Sequence, residues 1–397
     1  MFAKTNTAIG IDLGTHSVKA VQLSKVGNSA KVEKTALINL SSDPSDEKRT
    51  EGTIRALRTI SSAFNAKNSI LIAALPGEDT FIRYLRFPKM PPEELRSSIE
   101  LEADQNLPYD LMELSIDSVV LEEITEREET IMKVLLVAAK NDVIDQTLEL
   151  FRTVGIMPNM LGVTTLAIAD AFEANAGFRA DETVALVNVG ASSTNIHFCR
   201  DGTSNFTRDI SRAGRDLTAS IQKLMKVDFE EAEQMKINYG LGKLGNAVAD
   251  IIETLEKDTT EQGPEDILDS GAPDEAGEAD VTTEPMRPGG SDNISRIVNA
   301  TRPALSRLIG EIRRSIDYYE KQLYEKSVDR LILSGGTAVF PGLDQSLADA
   351  TGVPVEIVNP VQSFVIEEGS SDVQDLLQNR AQFNVAVGLA ARGIEAL

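Results

Sequence analysis

One local pattern occurs twice in this chain and limits its possible folds more than any other. It is a short buried strand, a turn of glycine and hydroxyl residues, and a strand that returns alongside. The first copy runs from Thr7 to Asp12, turns through Leu13-Gly14-Thr15 and returns over Val18 to Leu23. The second runs from Thr183 to Gly190 and returns over Ser193 to Phe198. Two β-branched runs around a glycine turn read as a hairpin. The copies lie about 175 residues apart, as an internal duplication would place them. With 397 residues the chain is long enough for two such halves, each with its own core. It has no Trp and only 5% aromatic residues, so those cores must be aliphatic.

Other elements fall between and after the hairpins. Val32 to Leu40 reads as a third strand, and Glu51 to Phe64 as a helix with Ile54, Leu57, Ile60 and Phe64 on one face. Ser69 to Leu75 is a buried strand stopped by Pro76-Gly77. Arg83 to Pro92 breaks the pattern, and Pro91 and Pro92 open a helix, Glu93 to Asn106, ended by Pro108. Ser115 to Glu122 and Thr130 to Ala138 read as paired strands, followed by a helix over Asp142 to Val154. Residues 85–160 thus form an α+β insertion. Helices are expected over Leu161 to Ala174, Asp216 to Lys226, Phe229 to Asn238 and Asn293 to Glu325, the last bent or restarted at Pro303. Glu253 to Glu284 holds twelve acidic residues and one basic residue, Lys257, and reads as a solvated acidic loop. The chain ends with a strand (Val328 to Leu333), a helix (Leu343 to Ala350), a short strand (Pro354 to Ile357) and a helix from Phe383 to Gly393. Ala386, Gly388, Ala390 and Ala391 allow that last helix to pack closely.

Charge narrows the function. There are 39 Lys and Arg against 62 Asp and Glu, a formal net charge of -23. Such a surface repels nucleic-acid phosphate and anionic lipid, so neither DNA binding nor a basic membrane foot is expected. The start of the chain has no secretory pattern, and the longest apolar runs fall far short of the ~20 residues of a membrane helix. Direct membrane insertion is not expected; any membrane role goes through a partner. The single cysteine, Cys199, permits no internal disulfide, fits a reducing compartment, and reads as a small buried residue in a strand. With only His16 and His197 beside it, no His/Cys metal site can form. His197 reads as a packing residue, Glu100 and Asp104 as a solvated helix face. Met90, Met112 and Met132 are core residues or the lining of an adaptable groove.

Three loops carry the chemistry, each directly after a buried strand. Phosphate binding needs backbone N–H donors, hydroxyls and room for the backbone to approach. The first loop supplies Asp12, Gly14, Thr15, Ser17 and Lys19, with Asp12 placed for a hydrated Mg²⁺. The second is Asn188-Val189-Gly190-Ala191-Ser192-Ser193-Thr194, and the third Ser334-Gly335-Gly336-Thr337. There is no GxxxxGK[ST] and no GxGxxG.

Three such loops in this order resemble the actin/Hsp70/sugar-kinase superfamily, an α/β, ribonuclease H-like fold of duplicated domains. The resemblance covers residues 7–393. The insertion narrows it. Phe87-Pro88-Lys89-Met90-Pro91-Pro92-Glu93-Glu94-Leu95, Ile99-Glu100-Leu101-Glu102-Ala103 and Leu107-Pro108-Tyr109-Asp110 are similar to the PilM family of type IV pilus assembly proteins. So are Gly214-Arg215-Asp216-Leu217-Thr218, Ala232-Glu233-Gln234-Met235-Lys236 and the ending Asn384 to Arg392. The resemblance implies a division into subdomain 1A (1–84), an inserted 1C or SHS2-type subdomain (85–160), and 2A (161–210 and 328–382). It also implies 2B (211–327, with the acidic loop at 253–292) and a crossing helix back to 1A (383–397).

By the same resemblance, Asp12, Gly14, Thr15, Ser17 and Lys19 face the phosphates of ATP from one side, and Gly190, Ser192, Ser193 and Thr194 from the other. Gly214 and Lys236 line the ribose and base, and Gly335, Gly336 and Thr337 cover the adenosine. Asp12 is the one candidate catalytic residue, acting on Mg²⁺ through water. Many superfamily members carry Asp where this chain has Asn188, so at most a slow ATPase is implied. The implied role is a cytoplasmic scaffold at the inner membrane. It would belong to a type IV pilus or related type II secretion platform and bind the N-terminal peptide of a PilN-like membrane protein beside the insertion, along with other platform proteins. An FtsA-like division protein and a small-molecule kinase of the same fold are the alternatives.

Overall fold

The computed structural model describes residues 6–27, 29–40, 46–126, 129–175, 177–239, 290–367 and 369–397. In chain order the strands and helices begin with β1 (Thr7–Leu13), β2 (Ser17–Val26), β3 (Ser29–Asn39), α1 (Asp46–Ala63) and β4 (Ile70–Leu75). The insertion contributes β5 (Thr80–Pro88), α2 (Pro92–Asn106), β6 (Leu114–Glu126) and β7 (Glu129–Lys140), followed by α3 (Asn141–Thr153). Then come β8 (Met160–Val163), α4 (Thr164–Asn175), β9 (Thr183–Val189), β10 (Thr194–Arg200) and β11 (Thr203–Ile210). Three helices follow, α5 (Gly214–Met225), α6 (Phe229–Tyr239) and α7 (Gly290–Asp317). The chain closes with β12 (Arg330–Ser334), α8 (Leu343–Thr351), β13 (Val355–Ile357), β14 (Val365–Ile366), α9 (Gln374–Gln378) and α10 (Asn384–Glu395).

Two compact units divide these elements. The first comprises residues 1–214, 315–339 and 353–397, the second 215–314 and 340–352. The first unit holds three sheets, and two of them repeat one topology. Their orders are β14-β3-β2-β1-β4-β8 and β11-β10-β9-β12-β13. In each, a hairpin strand pairs antiparallel with its partner and parallel with the strand after the helical excursion: β1 with β2 and β4, β9 with β10 and β12. The duplication expected from the hairpins is therefore present in the sheet order. The third sheet, β5-β7-β6, is the insertion. Phe87, Ile99, Ala103, Leu107, Met132, Val134 and Leu136 form its own core with α2.

Helices α4 and α10 join the two large sheets, and small residues set their spacing. A Cβ on Gly388 would stand 1.8 Å from the Ala167 carbonyl oxygen of α4, and one on Gly10 would stand 2.1 Å from the Ala386 carbonyl oxygen of α10. Backbone therefore lies on backbone at both positions. Every residue of α10 from Asn384 to Ala391 is buried. Cys199 lies in the core beneath α4, with Ile72, Ile168, Phe172 and Leu186.

In the second unit, Ile221 and Met225 of α5, Ala232 of α6 and Ile297 of α7 form a small apolar core.

Several expectations are corrected. Arg83 to Pro92 is not a break throughout: Thr80–Pro88 is an edge strand, and its proline falls at the end, where no ladder bond is lost. Leu161 is not helical but belongs to the four-residue strand β8. The polar strand β11 was not anticipated. Pro303 neither ends nor restarts its helix, since α7 runs through it to Asp317 and one π-helical turn, Tyr318–Gln322, follows. Met132 is core, while Met112 is 88% exposed. Glu100 and Asp104 are solvent-facing, as expected. The acidic run Glu253 to Glu284 lies outside the described residues, and positions 290–292 at the end of the expected loop open α7.

Candidate functional site

The three glycine-rich loops meet within the first unit. In the first, the β1–β2 ladder sets Asp12 opposite Lys19, and the lysine Nζ lies 3.0 Å from Asp12 Oδ2. Both side chains are largely buried. Gly14 makes this possible: a Cβ there would stand 2.9 Å from Lys19 Nζ and 2.8 Å from the Ser17 carbonyl oxygen. Ser17 is buried at the start of β2. The Thr15 hydroxyl leaves the turn and donates to Ser192 Oγ of the second loop at 3.0 Å, across 177 positions of sequence.

Gly190 is the junction of the second loop. Its N–H donates to the Ser193 carbonyl at 3.0 Å, and its own carbonyl accepts from the Gly214 N–H at 3.1 Å and the Thr337 hydroxyl at 2.9 Å. Gly214 and the third loop are thereby fixed to the second. Thr194 is fully buried, and its hydroxyl donates to the Arg212 carbonyl at 2.7 Å, so it braces the loop from behind. In the third loop Gly335 adopts φ +92, with its N–H on the Ala381 carbonyl at 2.8 Å. A Cβ there would stand 2.4 Å from the Val189 carbonyl oxygen, so glycine is required on both steric and conformational grounds. Gly336 has more room, its nearest neighbour being Gln382 at 3.8 Å.

Lys236, expected on the ribose and base side, is described within its own unit, the second. Its Nζ contacts Thr218 Oγ1 at 3.1 Å and the Glu233 carboxylate at 2.7 Å. Burial lowers its pKa against the pull of Glu233.

Sequence reasoning missed a polar cluster behind the second loop. Asn188 Nδ2 donates to Asn195 Oδ1 at 3.0 Å, and Asn195 Nδ2 donates to Asp209 Oδ1 at 2.6 Å. The Thr165 hydroxyl donates to the same carboxylate oxygen at 3.0 Å. Burial holds the Asp209 carboxyl above its usual range, opposed by these two hydrogen bonds. Only the register of three adjacent strands brings these groups together, and β11 carries no sequence signal strong enough to place Asp209.

The donor set suits an anionic, phosphate-bearing ligand. It includes a cation, Lys19, several loop hydroxyls, and glycines where a side chain would obstruct the backbone. Among the described residues no group of three His, Cys, Asp or Glu side chains could hold a metal ion. A Mg²⁺ ion would therefore rest on the single carboxylate of Asp12 and take its remaining oxygens from phosphate and water, an ordinary arrangement for this ion.

A family model described as type IV pilus assembly protein PilM matches residues 10–262 and 296–394. The chain belongs to the PilM family. The solved PilM-PilN type IV pilus biogenesis complex is 23% identical, with 99% of each chain covered and a TM-score of 0.76. It shares the actin-like fold described above. Lower similarity is found with the ethanolamine utilization protein EutJ of Carboxydothermus hydrogenoformans (13% identity, 97% of this chain and 89% of that chain, TM-score 0.49). MreB 5 of Spiroplasma citri bound to AMPPNP gives 14% identity over 97% and 95% of the chains, with a TM-score of 0.47. No helix among the described residues is long and apolar enough to cross a membrane.

Proposed function

We propose that this PilM-family chain binds ATP with Mg²⁺ at its three glycine-rich loops and uses it as a conformational ligand in a pilus assembly platform. The observation that carries this is the meeting of the loops from both halves, Thr15 on Ser192, with the third loop held to the second by Thr337 on Gly190. A phosphate chain placed there touches both halves at once, so its binding free energy favours the arrangement in which they are together. Asp12, Gly14, Ser17 and Lys19 would serve the phosphates from one half, and Gly190, Ser192 and Ser193 from the other. Gly335, Gly336 and Thr337 would cover the adenosine. Asn188 is neutral where a metal-anchoring carboxylate would promote hydrolysis, which suits a ligand that is held rather than rapidly turned over.

The partner in this reading is the N-terminal segment of a PilN-like inner-membrane protein, bound beside the inserted subdomain. The naming of PilN in the similar solved complex supports it, as does the strongly acidic composition, which favours basic peptides. The chain would then sit on the cytoplasmic side, held at the membrane through that partner. Calorimetry with MgATP on the wild type, Asp12→Ala and Gly336→Arg tests the site. Binding by the wild type, lost in both variants, supports it; wild type that binds no nucleotide refutes it.

A further inference from the structure

A series of hydrogen bonds, joined through the covalent frame of Thr165, runs from the inserted sheet to the second and third glycine-rich loops. It begins at Tyr84 on β5, whose hydroxyl lies 2.7 Å from Ser204 Oγ on β11. The same Oγ lies 2.7 Å from His197 Nε2 on β10, and His197 Nδ1 lies 2.9 Å from the Thr165 carbonyl in the first turn of α4. The Thr165 hydroxyl continues to Asp209, then to Asn195 and Asn188. Asn188 Oδ1 accepts from Ser334 Oγ at 3.4 Å, at the entrance to the third loop.

Every donor in this series has its direction fixed by chemistry. A backbone carbonyl only accepts, so the proton of the buried neutral imidazole is on Nδ1. Nε2 is then an acceptor, Ser204 must donate to it, and Tyr84 must donate to Ser204. At the other end the Asp209 carboxylate only accepts, so Thr165 and the Asn195 amide nitrogen donate to it. That turns the Asn195 oxygen toward Asn188. Rotation of His197, Asn195 or Asn188 would leave a buried polar atom unpaired, which costs about 1–3 kcal/mol. The root of the insertion touches the series a second time: a Cβ on Gly77 would stand 2.6 Å from Asp209 Oδ2 and 2.8 Å from Asn195 Nδ2.

We propose that this series is a coupling device, through which the state of the second and third loops is transmitted to β5 of the inserted sheet. Asp209 is the positioning residue that holds Asn195, and through it Asn188, in register with the loops. The inference rests on the nucleotide reading of the site, because ATP is what changes the state of those loops. Coupling is reciprocal, so a ligand on the inserted sheet alters ATP affinity by the same factor as ATP alters its own.

Hydrogen–deuterium exchange on the full chain, with and without MgATP, tests it. In the wild type ATP should slow exchange at the loops (residues 12–19 and 188–194) and also in Thr80–Pro88, there by about tenfold. Tyr84→Phe and Ser204→Ala should keep the effect at the loops and lose it at Thr80–Pro88, while Ser204→Thr, which retains the hydroxyl, should restore it. A merely structural role would change baseline exchange but not the ATP-dependent difference. Wild type protected at the loops and unaffected at Thr80–Pro88 overturns the coupling alone. So does an undiminished effect there in both hydroxyl-deleting variants. Wild type with no ATP effect at the loops overturns the nucleotide reading, and the coupling with it.

Discussion

The Lys19 ammonium rests 3.0 Å from the Asp12 carboxylate, directly across the hairpin ladder that forms the first loop. The two form an ion pair, and in the proposed site a phosphate and its cation would together replace that one pair with two. Lys19→Met should weaken MgATP binding by about 10–100-fold, the worth of one charge-assisted hydrogen bond. Asp12→Asn should instead make ATP affinity insensitive to Mg²⁺. Calorimetric titrations with and without EDTA distinguish the two effects.

Gly388 should tolerate no side chain. Its α-carbon faces backbone atoms of α4 that cannot be moved by a rotamer change, so Gly388→Ala should destabilise the first unit by about 3 kcal/mol or more. Gly52, inside α1, meets nothing closer than 3.4 Å, and Gly52→Ala should be neutral or stabilising by about 0.5–1 kcal/mol. Urea unfolding of both variants is the check.

Glu182 and Arg330 form a buried ion pair, with Nε 2.7 Å from Oε1 and side chains only 7% and 9% exposed. Burial raises the Glu182 pKa, but hydrogen bonds from Arg330 and the Arg179 backbone outweigh it, and the net shift is downward. An acid with a depressed folded pKa contributes stability above its unfolded value of 4.5 and loses it as pH falls through the folded pKa. Glu182→Ala leaves the buried Arg330 guanidinium only the exposed Glu356 carboxylate, 3.4 Å away, and should cost about 3 kcal/mol near neutral pH. The deficit should shrink below pH 4.5, as denaturation at several pH values would reveal.

His197 acts in a higher window. Burial pushes its pKa down from 6.5 to about 4. The unfolded chain gains a proton first on acidification, so stability present at pH 7 is lost progressively between about 6.5 and 4. The loss amounts to roughly 3 kcal/mol at 1.36 kcal/mol per pKa unit. His197→Gln should lower stability at pH 7 and flatten this slope, while leaving the Glu182-dependent loss below pH 4.5 in place. Thermal unfolding across pH 4–7 measures it.

The sequence made the duplication legible because a buried strand ending in glycine and hydroxyl residues is a local signal, complete within a dozen positions. β5 was hidden because Arg83 and Arg86 interrupt its apolar residues, and β8 because its four residues run into α4 without a break. β11 is half-buried along most of its length and shows no alternation. The site divides in the same way. Asp12, Gly14 and Gly335 announce themselves by their turns, whereas Asn195 and Asp209 gain meaning only when β9, β10 and β11 are laid side by side. At Pro303 the reverse holds: of the bend or new start expected there, the new start does not occur, and the helix runs on through the proline.

The lone thiol has a practical consequence. Cys199 is 1% exposed, and burial pushes its pKa up, so almost no reactive thiolate reaches solvent. A cysteine introduced at an exposed position of the inserted sheet, such as Val119, would thus be the only readily labelled group in an otherwise native chain. Site-specific dyes or spin labels could then be attached without first stripping background reactivity from the protein.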